Sequence, residues 1–176
     1  SGVRVLVLFT EVSLFYDEFV AAFNGSAAAE RLVFATSLPH WADESTTSET
    51  VQLFHAAVEE KANWTPLALR NFATTLVMQT VVSQIVRMSA ELLVDFFYKN
   101  VAITVADMLY GPFKDGKRCG DQNNVSSAEC AVNYGATYIS VWSMARVLDP
   151  AVPELFPAVT PSMEYGEPDK NGLSDD

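Results

Sequence analysis

The sequence predicts an α/β domain of three layers, in which helices flank a mainly parallel sheet. Residues 3–8 (VRVLVL) and 31–37 (RLVFATS) are largely apolar runs rich in β-branched side chains. Such runs are typical of strands that are covered on both faces, as in parallel sheets. Residues 14–23 between them place aromatic side chains on one face of a helix. Strand, helix and strand in this order indicate a parallel crossover unit.

Three further helices are indicated by their first residues. Thr46 and Glu49 have the spacing of a capping box before an apolar stripe. Residues 65–66 (TP) begin a second helix, with proline at the first helical position, where its missing N–H costs nothing. Apolar residues cover much of its circumference, so we expect it to be the central buried helix. Ser89 caps a third, whose residues 96–97 (FF) we expect to join the core.

The C-terminal part of the chain is predicted from shorter patterns. Residues 101–105 fit a short strand, and residues 136–147 alternate between two faces as a strand does. Prolines recur from position 150 at three- or four-residue spacing, which excludes a regular helix. We therefore divide the chain into one α/β domain, residues 1–149, and a proline-rich connector with an acidic, flexible tail, residues 150–176.

Length and charge restrict the classes of partner. A chain of 176 residues is long enough for one domain with its own core. Its net charge of −11 would be repelled by nucleic-acid phosphates and by anionic lipid headgroups. No run reaches the roughly 18 uninterrupted apolar residues that a membrane span needs. We therefore predict no nucleic-acid partner and no membrane contact by this chain itself.

The two cysteines and three sequons favour an extracellular location. Cys119 and Cys130 enclose a polar, turn-forming segment, which suits a surface loop closed by a disulfide; two unrelated thiols are the alternative. Asn24, Asn63 and Asn124 each begin a glycosylation sequon, where chance would supply roughly one. We expect all three asparagines to be exposed, and the protein to be secreted or displayed at the cell surface.

The carboxyl ends of the two predicted strands are the candidate ligand site, because ligands of open parallel sheets bind there. Six polar or aromatic residues follow these strands: Thr10, Glu11, Ser13, Ser37, His40 and Trp41. Their hydroxyls can donate hydrogen bonds, and the indole can stack on a ligand. The alternatives are structural, with Ser13 acting as a helix cap and Trp41 covering the core.

Catalytic chemistry finds little support in the sequence. His40, Asp43 and Glu44 lie together in a polar loop, and such a group is more often a solvated turn than a metal or acid–base site. No glycine-rich phosphate loop follows the first strand, and no Gly-x-Ser-x-Gly elbow occurs. Two cysteines alone cannot complete a tetrahedral zinc site. We predict no catalytic residue, no metal and no cofactor.

Three phrases carry a resemblance to a known family: residues 34–41 (FATSLPHW), 63–69 (NWTPLAL) and 139–146 (ISVWSMAR). They resemble the extracellular region of trypanosomatid receptor-type adenylate cyclases, and the similarity extends over most of residues 3–165. The order of elements resembles the second lobe of a type I periplasmic-binding-protein-like receptor.

The resemblance implies an exported ectodomain. In members of the family it is followed by a single membrane span and an intracellular cyclase domain that produces cAMP. This chain contains neither, and it lacks the first lobe, so we expect no intact cleft between lobes. Two interpretations stay open. The chain is a ligand-sensing or dimerising portion of such a receptor, and its partner is an unknown small ligand or a protein. Because receptor cyclases pair to form their catalytic sites, the resemblance implies that residues 96–97 (FF) could form an interface between two copies instead of joining the core. Alternatively, the chain is a free-standing glycosylated parasite surface antigen with a structural or immune-facing role and no small-molecule ligand.

Overall fold

Five helices and four strands make up the described part of the computed structural model, which comprises residues 15–97, 102–111 and 139–155. The helices are α1 (Tyr16–Phe23), α2 (Glu49–Ala57), α3 (Pro66–Ser83), α4 (Ala90–Phe97) and α5 (Met144–Leu148). The strands are β1 (Val33–Thr36), β2 (Ile103–Val105), β3 (Met108–Tyr110) and β4 (Ser140–Ser143). Short 3-10 turns at Ala27–Glu30 and Lys61–Asn63 precede β1 and α3.

The described strands form two antiparallel pairs, so the predicted mainly parallel sheet is not found among the described residues. β1 pairs with β4, with Val33 opposite Ser143, and β2 pairs with β3, with Ile103 opposite Tyr110. An apolar run indicates that both faces of a strand are covered, which is usual in parallel sheets, but it does not by itself fix the direction of the neighbouring strand. Helices around small sheets are compatible with a periplasmic-binding-protein-like domain. The predicted opening strand, residues 3–8, lies outside the described residues.

β4 is shorter than the alternation over residues 136–147 predicts. The chain leaves the strand after Ser143 and continues directly as α5, in which Met144 and Val147 are buried at helical spacing. The N–H of Met144 donates to the carbonyl oxygen of Leu32 at 2.8 Å, so the start of α5 is held next to β1. Met, Ala, Arg and Leu are good helix formers, and their preference prevails once the strand pairing ends.

The boundaries of α1 and α3 follow their sequence signals. Gly25, just after α1, has a φ of +72°, the left-handed conformation that glycine adopts without steric cost. At the start of α3 the hydroxyl of Thr65 accepts the N–H of Ala68 at 3.2 Å, and Pro66 occupies the first turn. Local capping chemistry therefore sets both boundaries.

α2 is capped differently from the predicted capping box. Ser48, and not Thr46, accepts the N–H of Val51, at 3.4 Å. A second cap comes from the turn between β2 and β3, where Asp107 accepts the backbone N–H of Thr50 at 2.9 Å and its hydroxyl at 2.6 Å. Asp107 lies 57 residues further along the chain, so no local spacing could indicate this contact.

α3 buries one stripe instead of most of its circumference, which corrects its prediction as the central buried helix. The stripe has four-residue spacing and consists of Leu69, Ala73, Val77 and Val81. Its first half packs into a core that contains Phe54, Trp41 and Trp142. Its second half packs with Ile103 and Val105 in a smaller core. The hairpin of β2 and β3 covers one end of the helix, and the opposite side stays exposed.

Candidate functional site

An aromatic cluster (Tyr16, Phe34, His40, Trp41 and Trp142) occupies the region after β1 where a ligand site is expected. The ring of His40 stacks on two indoles, with its centroid 4.7 Å from Trp41 and 5.4 Å from Trp142. Tyr16 meets Trp41 edge-on at 5.5 Å, and Phe34 meets Trp142 at 6.2 Å. Because its members come from α1, β1, β4 and the loop after β1, the cluster ties distant parts of the chain together.

His40 is held as a neutral donor inside this cluster. Its Nδ1 accepts the backbone N–H of Ala42 at 3.2 Å, so the ring proton lies on Nε2. Nε2 then donates to the carbonyl oxygen of Arg146 at 2.8 Å. Burial disfavours the charged ring and lowers the pKa of His40 from 6.5 to about 4; the nearby Arg146 guanidinium adds to this effect. At neutral pH the ring is therefore uncharged and both of its nitrogens are occupied.

Arg146 closes another side of the cluster. Its guanidinium lies 4.8 Å from the centroid of the Trp142 ring, in a cation–π contact. It donates to the carbonyl oxygens of Pro150, at 3.0 Å, and of Val152. It also forms an ion pair with Glu154 at 3.4 Å. These contacts hold the beginning of the predicted connector against the domain, while residues from 156 onward lie outside the described chain.

The predicted ligand residues occupy the interior where the structure describes them. Ser37 is half-buried, while His40 and Trp41 are only 3% and 1% exposed. Both rings are in contact with core residues, so a ligand would reach them only if the aromatic cluster opened. The remaining three candidates, Thr10, Glu11 and Ser13, lie outside the described residues. A ligand role for the six residues stays a prediction.

The polar loop after His40 behaves as a solvated turn. The carboxylate of Asp43 accepts the backbone N–H of Ser45 at 2.9 Å and its hydroxyl at 2.7 Å. Glu44 forms an exposed ion pair with Lys61 at 2.6 Å. Neither carboxylate contacts the imidazole in these bonds. Within the described ranges, no group of three His, Cys, Asp or Glu side chains is placed to bind a metal.

A second stacked histidine was not indicated by the sequence patterns. The ring of His55 lies on Trp64 with centroids 3.6 Å apart, and its Nε2 is 2.8 Å from the carbonyl oxygen of Trp41. The indole N–H of Trp64 donates to the carbonyl of Val58 at 2.7 Å. These contacts join α2 to the loop before α3 and to the aromatic cluster. Nothing in the spacing of the two residues identifies them as a pair.

The predicted modification sites are only partly described. Asn24 and Asn63 are both exposed, as glycosylation requires. Asn63 contacts Glu60 through its amide at 3.2 Å, a bond at the surface that leaves the side chain accessible. Asn124 and the two cysteines, Cys119 and Cys130, lie outside the described residues, so the third sequon and the disulfide stay predictions.

Within the described residues, an exposed surface with three large apolar side chains lies on the outside of α3. It consists of Leu67, Asn71, Thr75, Met78 and Val82, which share one side of the helix at three- or four-residue spacing and which we call the α3 outer face. In the turn after the helix, Val86 is fully exposed and Met88 is largely exposed. Among the helices of the described residues, none has the length and apolar composition that a membrane span requires.

α4 packs on α3 through its two phenylalanines. Phe96 and Phe97 are half-buried and contact the smaller core around Val77 and Val81. No residue of α4 is fully buried, and Leu92 on its outer side is exposed. The exposed apolar side chains of this region therefore belong to the α3 outer face, the following turn, and Leu92 and Val94 of α4, and less to the phenylalanine pair.

Comparison with known proteins identifies the family. Residues 1–166 match the family model described as "Adenylate cyclase, periplasmic binding protein-like domain". Because the match covers most of the chain, this chain belongs to the family of periplasmic-binding-protein-like domains of adenylate cyclases. No solved structure matches the chain.

Its relatives are trypanosomatid receptor-type adenylate cyclases. The chain is 49% identical over 165 residues to "Receptor-type adenylate cyclase ESAG 4" of Trypanosoma brucei brucei, which covers 94% of this chain and 13% of that protein. It is 48% identical over 171 residues to "GRESAG 4.3" of the same organism, covering 97% and 14%. A "Receptor-type adenylate cyclase" of Trypanosoma congolense is 44% identical over 176 residues, covering 99% and 23%. The chain thus spans a small part of the length of these relatives.

Proposed function

We propose that this chain is a non-catalytic extracellular module of a receptor-type adenylate cyclase, and that it acts through contacts with a ligand or a second chain. One observation carries the proposal. The chain aligns over most of its own length but with only 13% and 14% of two long relatives, and the matching family model describes a periplasmic-binding-protein-like domain. The similarity is therefore to the binding-type module of these receptors.

The described side chains support a non-catalytic role. General acid–base catalysis needs a titratable group that can reach a substrate. His40 is buried and fully hydrogen-bonded, Asp43 is engaged by Ser45, and Glu44 is paired with Lys61. The group that most resembles an acid–base site in the sequence is thus engaged in structural contacts.

Between the two modes of action, the geometry favours contact with a macromolecule. Small-molecule sites are concave and present accessible polar groups. His40 and Trp41 are instead packed into the core, whereas the α3 outer face presents Leu67, Met78 and Val82 to solvent. Binding of a small ligand near Ser37 is the second candidate, and it would require the aromatic cluster to open.

An extracellular location is supported by the accessible sequons. Asn24 lies at the end of α1 and Asn63 in the turn before α3, and both are exposed. We propose that both carry glycans and that Cys119 and Cys130 form a disulfide, since both modifications occur on the secretory route.

The proposal is tested on the full-length gene product, expressed with its native sequence in a trypanosomatid cell. We expect an antibody against this chain to label intact cells, and Asn24→Gln and Asn63→Gln each to remove one glycan from the protein. The same antibody should precipitate adenylate cyclase activity from solubilised membranes. Labelling only after permeabilisation, or cAMP synthesis by the isolated chain, would refute the proposal.

The same antibody precipitation distinguishes the receptor module from the alternative, a free-standing surface antigen. An antigen would label intact cells and carry glycans, but the precipitate would contain no cyclase activity and no polypeptide longer than this module and its anchor. The ligand-binding candidate has its own measurement. A small molecule that opens the aromatic cluster would expose Trp41 or Trp142 and shift the tryptophan emission to longer wavelength.

A further inference from the structure

The sequon that begins at Asn63 is folded into a tight turn. Asn63 ends the 3-10 turn before α3, and the N–H of Thr65 donates to the carbonyl oxygen of Asn63 at 2.9 Å. This bond spans two residues, and Trp64 between them has a φ of −77° and a ψ of 84°. These are the features of an inverse γ-turn, so the three residues of the sequon do not form an extended segment.

Trp64, the middle residue of this sequon, fastens the turn to the domain. Its ring stacks on His55 with centroids 3.6 Å apart, and its indole N–H donates to the carbonyl oxygen of Val58 at 2.7 Å. The Nζ of Lys61 lies 5.5 Å from the centroid of the same ring, and Trp64 also packs against the core that contains Phe54. The turn therefore opens only if Trp64 leaves these contacts.

The two groups that define the acceptor motif are engaged as well. The hydroxyl of Thr65 accepts the N–H of Ala68 at 3.2 Å as the cap of α3, and Nδ2 of Asn63 donates to Glu60 at 3.2 Å. A glycosylating enzyme has to bind the asparagine amide together with the hydroxyl two residues later. The amide of Asn63 faces solvent, but the folded turn does not present the motif as a whole.

The sequon that begins at Asn24 is held much more weakly. Asn24, Gly25 and Ser26 are all exposed, and a Cβ built on Gly25 meets no atom within 4 Å. The hydroxyl of Ser26 accepts the N–H of Ala28 at 3.2 Å in a bond that is open to water. The segment follows the last turn of α1, and helix ends fray readily. Presenting this motif therefore breaks no contact with the core.

We infer that Asn63 is glycosylated only before the turn around Trp64 has folded, whereas Asn24 remains an acceptor in the folded domain. The inference rests on the proposed function, which places glycans on both residues, and it adds the order in which they are attached. Occupancy of Asn63 then depends on whether glycosylation or folding comes first. A chain that folds first keeps Asn63 unmodified.

The chemistry of the transfer is compatible with the folded turn once the glycan is in place. Nδ2 of Asn63 forms a bond to the anomeric carbon of a lipid-pyrophosphate-linked oligosaccharide. The bond from that carbon to the pyrophosphate oxygen breaks, the lipid pyrophosphate leaves with the electron pair, and the amide gives up one proton. The amide keeps its second hydrogen, which can still donate to Glu60.

The test compares folded and unfolded acceptors. The purified, non-glycosylated chain is incubated with a purified oligosaccharyltransferase and a lipid-pyrophosphate-linked oligosaccharide, and the modification of each site is followed by mass spectrometry. Peptides of residues 19–30 and 58–69 are the unfolded references, so the intrinsic quality of each sequon cancels in the ratio of chain to peptide. We expect this ratio to be at least about tenfold lower for Asn63 than for Asn24, because one ring stack and one partly buried hydrogen bond must be broken.

The variant His55→Ala tests the cause, because it removes the stacking partner of Trp64 and leaves both sequons intact. The ratio for Asn63 should rise several-fold, and that for Asn24 should not change. Asp107→Ala, which loosens the other end of α2, is the control and should leave both ratios unchanged. If His55→Ala does not fold, the comparison of the two sites in the wild type still decides the inference.

Equal ratios for the two sites would overturn the inference. So would a folded chain in which Asn24 is also left unmodified, or a folded His55→Ala chain whose Asn63 ratio equals that of the wild type. Surface labelling and the loss of one glycan in each Asn→Gln variant report whether glycans are present, and not when they are attached. Failure of this inference is therefore distinct from failure of the proposed function.

Discussion

The imidazole of His40 and the backbone carbonyl of Arg146 form one hydrogen bond of 2.8 Å across 106 residues of chain. It joins the loop after β1 to α5, and Arg146 in turn contacts Trp142 and Pro150. A single buried ring thus links the end of the first strand to the C-terminal part of the described domain. The ring must be neutral for this arrangement, since its Nδ1 accepts an N–H.

We predict that the free energy of unfolding falls as the pH drops from 6.5 to 4. In this range the unfolded chain binds a proton at His40, whose pKa is then near 6.5, while the folded chain does not bind it until about pH 4. The contribution of the uncharged His40 to the free energy of unfolding is complete above pH 6.5 and is lost progressively down to pH 4. It amounts to about 3 kcal/mol. Denaturant unfolding measured at several pH values checks it.

The variant His40→Gln isolates this effect. It should be less stable at neutral pH, because the stacking on Trp41 and Trp142 is lost. Its stability should change less between pH 6.5 and 4 than that of the wild type. The control His55→Gln leaves His40 in place and should keep the wild-type slope. Equal slopes for wild type and His40→Gln would contradict the assignment.

Asp107 is predicted to stabilise the start of α2 from the β2–β3 turn. Partial burial raises the pKa of its carboxyl, but hydrogen bonds from Thr50 and Ser48 lower it by more, so it lies below its ordinary value. Asp107→Ala should lower the free energy of unfolding by about 1 kcal/mol, the usual value of a helix cap. Asp107→Asn keeps an acceptor oxygen and should lose less. Equal losses for the two variants would mean that the cap is not the cause.

Arg146 is predicted to need its guanidinium and not only its charge. A lysine cannot donate in the same fixed geometry to the carbonyls of Pro150 and Val152 while lying on the ring of Trp142. Arg146→Lys should therefore lower the free energy of unfolding by roughly 1–3 kcal/mol. It should also speed proteolysis near residue 150. The exposed Arg31, changed to lysine, is the control and should alter neither quantity.

Gly25 offers a test of backbone conformation alone. Its φ of +72° is unfavourable for a side-chain-bearing residue, and a Cβ built there meets no atom within 4 Å. Gly25→Ala should thus cost about 1 kcal/mol through the backbone only. Gly25→Asn should cost less, since asparagine tolerates the left-handed region better. Thermal unfolding of both variants measures the difference, and an unchanged alanine variant would refute the argument.

The local features of the fold could be predicted from neighbouring residues. Residues 65–66 begin α3 with proline in the first turn, as predicted, and the cap at Thr65 and the left-handed Gly25 after α1 likewise act within one turn of chain. The cap at Ser89 is confirmed in the same way by the N–H of Leu92, at 3.2 Å. Each of these interactions depends only on residue type and a separation of a few positions.

The sequence predicted where the candidate ligand residues lie along the chain, but not that two of them are buried. The segment containing Ser37, His40 and Trp41 does follow a strand, yet two of the three side chains point into the core. Their burial depends on Trp142 and Arg146, which lie about a hundred residues later in the chain. A polar loop in the sequence gives no sign that a remote strand and helix will cover it.

The sequence by itself determined the family, the helix starts at Thr65–Pro66 and at Ser89, and the apolar character of α3, because each is encoded in residue identities or in short-range patterns. Only the tertiary structure decided that β1 pairs antiparallel with β4, that Asp107 caps α2, and that His40 lies neutral between Trp41 and Trp142. It also decided that the outer side of α3 is left uncovered. Strand direction, burial and exposure depend on which distant segments meet, and that outcome is set by the packing of the whole domain.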